Sequence, residues 1–334
     1  MLSHWIHLST QESARSTIPI NLLIPNVASC YIHFLAATVG RAIEFSIIVA
    51  TRNRPESLSF LLHAITEVQY AAERFEVIVV DDGSTTPPDE LLAAFAARLQ
   101  VSRFVQPHLG PASARNAGAS LARGKYLVFT DDDCRPDPNW LSSLAAAFSE
   151  RPVAAIGGLT VNGLEQNIYA AASQMLILFL FEYFNRDSND AIFLTSSNLS
   201  FPAETFRQLG GFSSEFPIAG GEDRELCDRW RHAGFRLLYR PQAIVRHFHP
   251  LTFLGFWRQH QNYGRGAYRF HSIRHQRAGG AVKVEPVAFY QRMLAFPFGR
   301  VSLSRAAGIS ILVALSQIAN VSGFLLERFR MHRA

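Results

Sequence analysis

A chain of 334 residues with 48% hydrophobic and 18% charged side chains can bury a substantial core, as one large domain with appendages or as two domains. Its three cysteines, Cys30, Cys134 and Cys227, are too widely spaced for a disulfide framework or a zinc site, and they fit a reducing, cytosolic compartment. The net charge of +5 conceals an asymmetry: from Arg229 onward 17 Lys and Arg face two acids, Glu285 and Glu327, so the C-terminal third offers a basic surface to water, an anionic membrane or substrate phosphates.

Residues 1–44 show no periodicity and are expected to form an N-terminal extension. Their apolar stretch at 18–40 is broken by Pro19, Pro25 and His33 and lacks the charged start and cleavage site of a signal peptide. The pattern sharpens at Phe45. FSIIVA (45–50) predicts a buried strand, the turn TRNRP follows, and SLSFLLHAI has helical spacing. EVIVVDDGS (76–84) repeats the device, then a helix over 88–99, a strand over 103–106 and a helix over 113–122. KYLVFTDDD (125–133) is again a strand that ends in acids. Strands alternating with helices predict an α/β fold with a largely parallel sheet flanked by helices. TRNRP, DDGS and TDDD each lie past the carboxyl end of a strand, where such sheets bind ligands.

Beyond Trp140 the alternation fades. Phe193–Phe201, Gly210–Phe212 and Gly220–Arg231 form a second cluster, read as the acceptor half. The division expected is a nucleotide-binding half over 45–150, an acceptor-binding and catalytic half over 151–250, and a basic helical region over 251–334. AAASQMLILFLF (170–181) is too short to span a bilayer. Residues 306–326 are uncharged, with arginines on both sides, and suit a membrane-spanning helix, an interfacial one or a buried one.

Three adjacent carboxylates, Asp131, Asp132 and Asp133, repel one another unless a cation or several donors neutralise them. Oxygen ligands of this kind suit Mg²⁺ or Mn²⁺ shared with substrate phosphates; a solvated turn before the helix at Trp140 is the alternative. Asp81 and Asp82 can cap a helix or hold a ribose or base, and Thr51, Arg52 and Arg54 can form a turn before a helix with Pro55 at its start. Arg115, in GPASARNAG, is a phosphate ligand or a surface arginine.

In this order SIIVATRNRPESL, VIVVDDGS, GPASARNAG, GKYLVFTDDDCRPDPNWL, SSNLSF, LGGFSSEF and GGEDRELCDRWRHAG resemble the family 2 glycosyltransferases of GT-A fold, over roughly residues 45–250. The resemblance implies a nucleotide-sugar donor, a divalent cation on a D-x-D motif and inversion at the anomeric carbon. Thr51, Arg52 and Arg54 match the base-binding segment, and Asp82 the position that contacts base or ribose. Asp131 and Asp133 match the D-x-D, with Asp132 leaving open which pair binds. Glu222 and Asp223 match the E-D pair, Asp223 as base. His247 matches a histidine that completes the metal site in some relatives, with His249 its competitor, and Ser197 and Asn198 fall where an acceptor pocket or a plain turn would be. Family members often carry a hydrophobic tail that brings them to lipid-linked acceptors, so an enzyme at the cytoplasmic face of a membrane is expected.

The chemistry of the residues agrees with this. A cation offsets the charge that builds on a departing diphosphate, and an acceptor hydroxyl needs a carboxylate within reach to take its proton. A sugar nucleotidyltransferase would show a glycine- and lysine-rich loop after its first strand, which TRNRP is not. A non-catalytic sugar-nucleotide-binding subunit would not need the carboxylates this chain keeps. No G-x-G-x-x-G follows the first strand, which argues against a dinucleotide dehydrogenase.

Overall fold

In the computed structural model, residues 42–278 and 285–332 are described, so most of the expected extension over 1–44 lies outside the described residues. Three apolar runs become adjacent parallel strands, β1 (Phe45–Thr51), β2 (Phe75–Asp81) and, after β3 (Val101–Val105), β4 (Tyr126–Asp131). Every residue of β2 and all but one of β1 are buried, as expected of parallel strands covered on both faces.

Between them run α1 (Pro55–Thr66), α2 (Asp89–Phe95) and α3 (Pro111–Leu121); α2 stops earlier than the apolar pattern to Leu99 suggests. The two faces of the sheet build separate cores. Phe45, Ile47 and Val49 pack with α1 and α2, and with α4 (Trp140–Glu150), whereas Ile48, Ile78 and Phe129 pack with α3 and with the helices Ala203–Gln208 and Glu222–His232. The alternation is the two-residue period of a strand made visible.

The sheet continues as β3-β2-β1-β4-β7-β6-β8-β5 with β5 (Cys134–Pro136), β6 (Ala155–Asn162), β7 (Leu199–Pro202) and β8 (Leu237–His247). The first three pairings are parallel; β7 runs antiparallel to both β4 and β6. The register between β6 and β8 shifts between Gly158 and Leu159, whose partners are Arg240 and Ile244. This bulge accommodates Pro241, which has no N–H for the ladder. Strands from before and after Trp140 thus share one sheet.

The helices α5 (Ile168–Phe184), α6 (Ala203–Gln208) and α7 (Glu222–His232) follow the second half of the chain, and α8 (Phe253–Ala278), α9 (Val287–Ala295) and α10 (Leu303–Met331) complete it. Leu176, Phe179, Phe256, Phe289, Met293, Ile309 and Val313 join α5, α8, α9 and α10 in a third core. Side by side, α8 and α10 approach so closely that a Cβ on Gly264 would lie 1.9 Å from the Asn320 carbonyl oxygen.

Candidate active site

Register brings the acids together. Ala50 of β1 pairs with Asp131 of β4, and Thr51 with Asp81 of β2, so the three strand ends form one rim. Just past it, Asp132 and Asp133 are buried carboxylates with few routes to water. Thr51 Oγ1 donates to Asp132 Oδ2 at 2.7 Å, and Arg54 reaches both acids, with Nη1 2.8 Å from Asp132 and Nη2 2.7 Å from Asp133. Burial pushes the Asp132 carboxyl up to about 7 in spite of Arg54. Asp133 goes the other way: burial would raise it, but His247, His249 and Arg54 hold it well below the usual carboxylate range.

The same corner fits a divalent cation. Ligand atoms of Asp131, Asp133, Cys134 and His247 all lie within 4.8 Å of one another. His247 Nε2 is 3.0 Å from Asp133 Oδ1, yet that buried oxygen has no hydrogen-bond partner, whereas Asp133 Oδ2 is engaged by His249 Nδ1 at 2.9 Å and by Arg54. An orphaned carboxylate oxygen facing an imidazole nitrogen is a donor pair for a metal. Two carboxylates and an imidazole suit Mn²⁺ or Mg²⁺. Cys134, the fourth member of the group, is fully buried, and burial raises its thiol well above the ordinary range; Mn²⁺ and Mg²⁺ favour the oxygen and imidazole donors beside it.

From the acids the site crosses to α7. Gly221, at φ 97°, sits in the left-handed region before the helix, a conformation that favours glycine. That turn delivers Glu222 into the interior, where Oε1 accepts from Arg115 Nη1 at 2.9 Å and Oε2 accepts from the Gly220 amide at 2.7 Å. Arg115 Nη2 donates to Asp131 Oδ1 at 2.8 Å. Burial works against the Arg115 charge, but Asp131 and Glu222 outweigh it and raise its pKa. Asp223, half-buried, accepts from the Ser196 amide at 3.2 Å and from the Arg224 amide at 2.8 Å. Burial, reinforced by Glu222, raises its carboxyl to about 7.

A cavity of about 490 Å³ opens over this group, with Arg115, Asp131, Ser196, Ser197, Glu222, Asp223, His247 and His249 in its wall. The site residues expected from the sequence separate around it. Thr51 and Arg54 stand behind the acids; Arg52 is exposed and donates to the Gly83 carbonyl at 3.4 Å. Asp82 is saturated: Gln106 Nε2, His108 Nδ1 and the Leu109 and Gly110 amides lie 2.7, 2.8, 2.9 and 3.0 Å from its oxygens. It pins the loop before α3, and Gly110 there, at φ 91°, could not take a Cβ without meeting the Pro217 carbonyl at 2.6 Å. Asn198 lies outside the cavity wall, bound to Trp140 Nε1 at 2.9 Å and to the Ala243 carbonyl at 2.8 Å. The ion pairs of Arg54 and Arg115 and the role of His108 had no local signal, since each depends on strand register.

A family model described as glycosyl transferase family 2 matches residues 46–210, and one described as the N-terminal domain of galactosyltransferase matches residues 180–251. The chain is 30% identical over 213 residues to a pre-mycofactocin glycosyltransferase of Mycobacterium tuberculosis, covering 62% of this chain and 43% of that one. It is 29% identical over 209 residues to a validoxylamine A glucosyltransferase of Streptomyces hygroscopicus, covering 54% and 50%. The chain therefore spans half or less of the length of these relatives. A mannosyltransferase of Pyrobaculum calidifontis, solved with GDP-Man and Mn²⁺, superposes with a TM-score of 0.58 at 16% identity, covering 86% of this chain and 90% of that one. That likeness is one of fold.

Proposed function

The chain belongs to glycosyl transferase family 2 and has the GT-A fold, and on that premise we propose that it transfers a sugar, with inversion, from a nucleoside-diphosphate donor to a hydroxyl of a glycan or lipid-linked acceptor. One observation carries the reading: Asp131 and His247 face the same cavity as Asp223, with Arg115 joining Asp131 to the Glu222 beside it.

In this scheme Thr51, Arg52, Arg54 and the Asp82-pinned loop hold the nucleoside, and Arg115 and Asp131 lie at the diphosphate. Asp131, Asp133 and His247 would hold Mn²⁺ or Mg²⁺, which supplies positive charge against the diphosphate as it departs. Asp223 takes the proton from the acceptor hydroxyl while the acceptor oxygen bonds to the anomeric carbon. The bond from that carbon to the β-phosphate oxygen breaks, and its electron pair leaves with the nucleoside diphosphate. Burial suits Asp223 to this task, because a carboxylate with a raised pKa is a stronger base. The enzyme would work at the cytoplasmic face of a membrane; α10, long and apolar, with Ile311, Ile318 and Phe329 exposed, supports the membrane contact and not the side.

Incubation with UDP-, GDP- and dTDP-sugars, with and without Mn²⁺, tests this. Release of the nucleoside diphosphate, dependent on metal and on Asp223, is expected. Pyrophosphate production from a sugar 1-phosphate and a nucleoside triphosphate would overturn it.

A further inference from the structure

The cavity does not end at the catalytic carboxylates. Its wall continues through a neck that includes Gln174, Gln259 and Tyr263 into an arm lined by Leu176, Ile177 and Leu180 of α5, Phe270 of α8, and Phe289 and Met293 of α9. No charged side chain of α5, α9 or α10 lies in that wall, and neither do residues of β1, β2 or the loops after them. The arm therefore includes none of the residues proposed to hold the nucleoside, and it shares one cavity with Asp223. At the neck, Gln259 Oε1 is buried without a hydrogen-bond partner while its Nε2 donates to Tyr263 Oη at 2.7 Å.

We infer that this arm binds the hydrocarbon chain of an amphipathic acceptor, whose hydroxyl-bearing head lies at Asp223 and Gln259; the inference rests on the transfer reaction proposed above. An apolar cleft left open in a core forfeits packing and holds water poorly, so its persistence beside the base calls for an apolar occupant. The neck carries a hydrogen-bond acceptor for the head, and Leu176, Ile177, Leu180, Phe270, Phe289 and Met293 offer a second sugar no hydrogen bond, although Arg224 of α7, 4.9 Å from the Phe270 ring, and Tyr290 of α9 also line the cavity. The outside of the same wall supplies the source. Phe289 and Met293 face the arm, while Val287, at the start of the same helix, is 73% exposed. On α10, Ile311, Ile318 and Phe329 are 63%, 58% and 63% exposed, with the arginines Arg292, Arg300 and Arg328 at the margins. One layer of helices thus separates the arm from an apolar, cationic surface suited to anionic lipid.

The test uses the full chain and a series of methyl, butyl, octyl and dodecyl β-glucosides below their micellar concentrations, with binding followed by calorimetry. Affinity is expected to rise about fourfold per methylene, equivalent to ~0.8 kcal/mol, until the arm is filled, and then to level. Leu180→Trp should cut octyl glucoside affinity at least tenfold while nucleoside diphosphate and Mn²⁺ bind as before. Ile318→Ser, on the outer face, should leave the series unchanged. If Leu180→Trp does not fold, Met293→Ala decides: the levelling point should move toward longer chains. Equal affinity for methyl and octyl glucosides, an unmoved levelling point, or a series abolished by Ile318→Ser would overturn the arm as a chain site, and would favour a soluble glycan acceptor. Absence of nucleoside diphosphate binding would instead remove the transferase reading itself.

Discussion

Arg115 Nη1 lies 2.9 Å from Glu222 Oε1, an ion pair between side chains 107 positions apart and both almost fully buried. The second terminal nitrogen, Nη2, holds Asp131. One arginine thereby fixes the end of β4 relative to the start of α7, the two segments that carry the proposed diphosphate and base positions. Removing one partner of a buried pair is costlier than the pair is stabilising, because the survivor stays buried and uncompensated.

Arg115→Met should therefore destabilise the fold by about 3–5 kcal/mol, and Arg115→Lys by less, since it keeps the charge, although one ammonium cannot span both carboxylates. Urea denaturation monitored by fluorescence measures this. A loss below ~1 kcal/mol for Arg115→Met would mean that the bridge is solvated in practice.

Asp223 acts as base only when ionised. With its carboxyl raised to about 7, activity should fall as pH drops through neutrality and level above it. Asp223→Asn should lower kcat by about 10²–10⁴ and leave nucleoside diphosphate affinity close to wild type. Stability runs in the opposite sense. A carboxyl whose folded pKa is raised from 3.8 to about 7 binds its proton more tightly when folded, so its contribution is present at acid pH and is lost between those values as pH rises. Asp223→Asn should then gain stability over wild type across that window and hold the gain above it. Melting temperatures at a series of pH values check the sign, and a variant less stable than wild type at pH 8 would contradict it.

Much of this arrangement was open to reading from the chain alone, and the reason is burial. FSIIVAT and FEVIVVD are continuous apolar runs because parallel strands at the sheet centre touch helices on both faces, and an acid after such a run marks the rim. By contrast, β8 was hidden: LLYRPQAIVRH holds a proline and does not alternate, because the bulge opposite Gly158 and Leu159 absorbs the extra residues. The side-chain partners were hidden for a related reason. Asp82 has the look of a ligand contact, yet its four partners lie 24 to 28 residues on, in a loop whose approach depends on where β3 ends. His247 and His249 could not be ranked by sequence; the fold places both on Asp133 but only His247 opposite its orphaned oxygen.

That difference makes the two histidines separable. Asp133→Asn and His247→Ala should raise the Mn²⁺ concentration for half-maximal turnover by more than the ~10–100-fold typical of losing an outer-shell partner of a ligand. His249→Ala, whose ring bonds the oxygen also held by Arg54, should cost no more than that ~10–100-fold. Because a cation bound to the folded state raises the melting temperature, the same ranking should appear in Mn²⁺-dependent thermal shifts without any turnover. Equal effects of the two histidine variants would place the cation elsewhere on Asp133.

The last question is how α10 meets a membrane. Length and composition allow it to cross one. Its inner face argues for lying along the surface: Ala306, Ile309, Val313, Ala319 and Gly323 are buried in the protein, and Glu327, 1% exposed, is held by Arg265 and Arg269 of α8. Crossing would draw α8 and its arginines into hydrocarbon or leave Glu327 there unpaired, at several kcal/mol per charge. An outer face of Ile311, Ile318, Val321, Leu325 and Phe329 can instead sit at the headgroup level without unpacking anything. Vesicles containing anionic lipid should therefore sediment the chain at low salt and release it at alkaline carbonate. Ile318→Ser combined with Phe329→Ser should weaken sedimentation about tenfold or more, given ~1.5–3 kcal/mol for each large apolar side chain withdrawn from water. Retention after carbonate, with release by detergent alone, would show that α10 spans the bilayer.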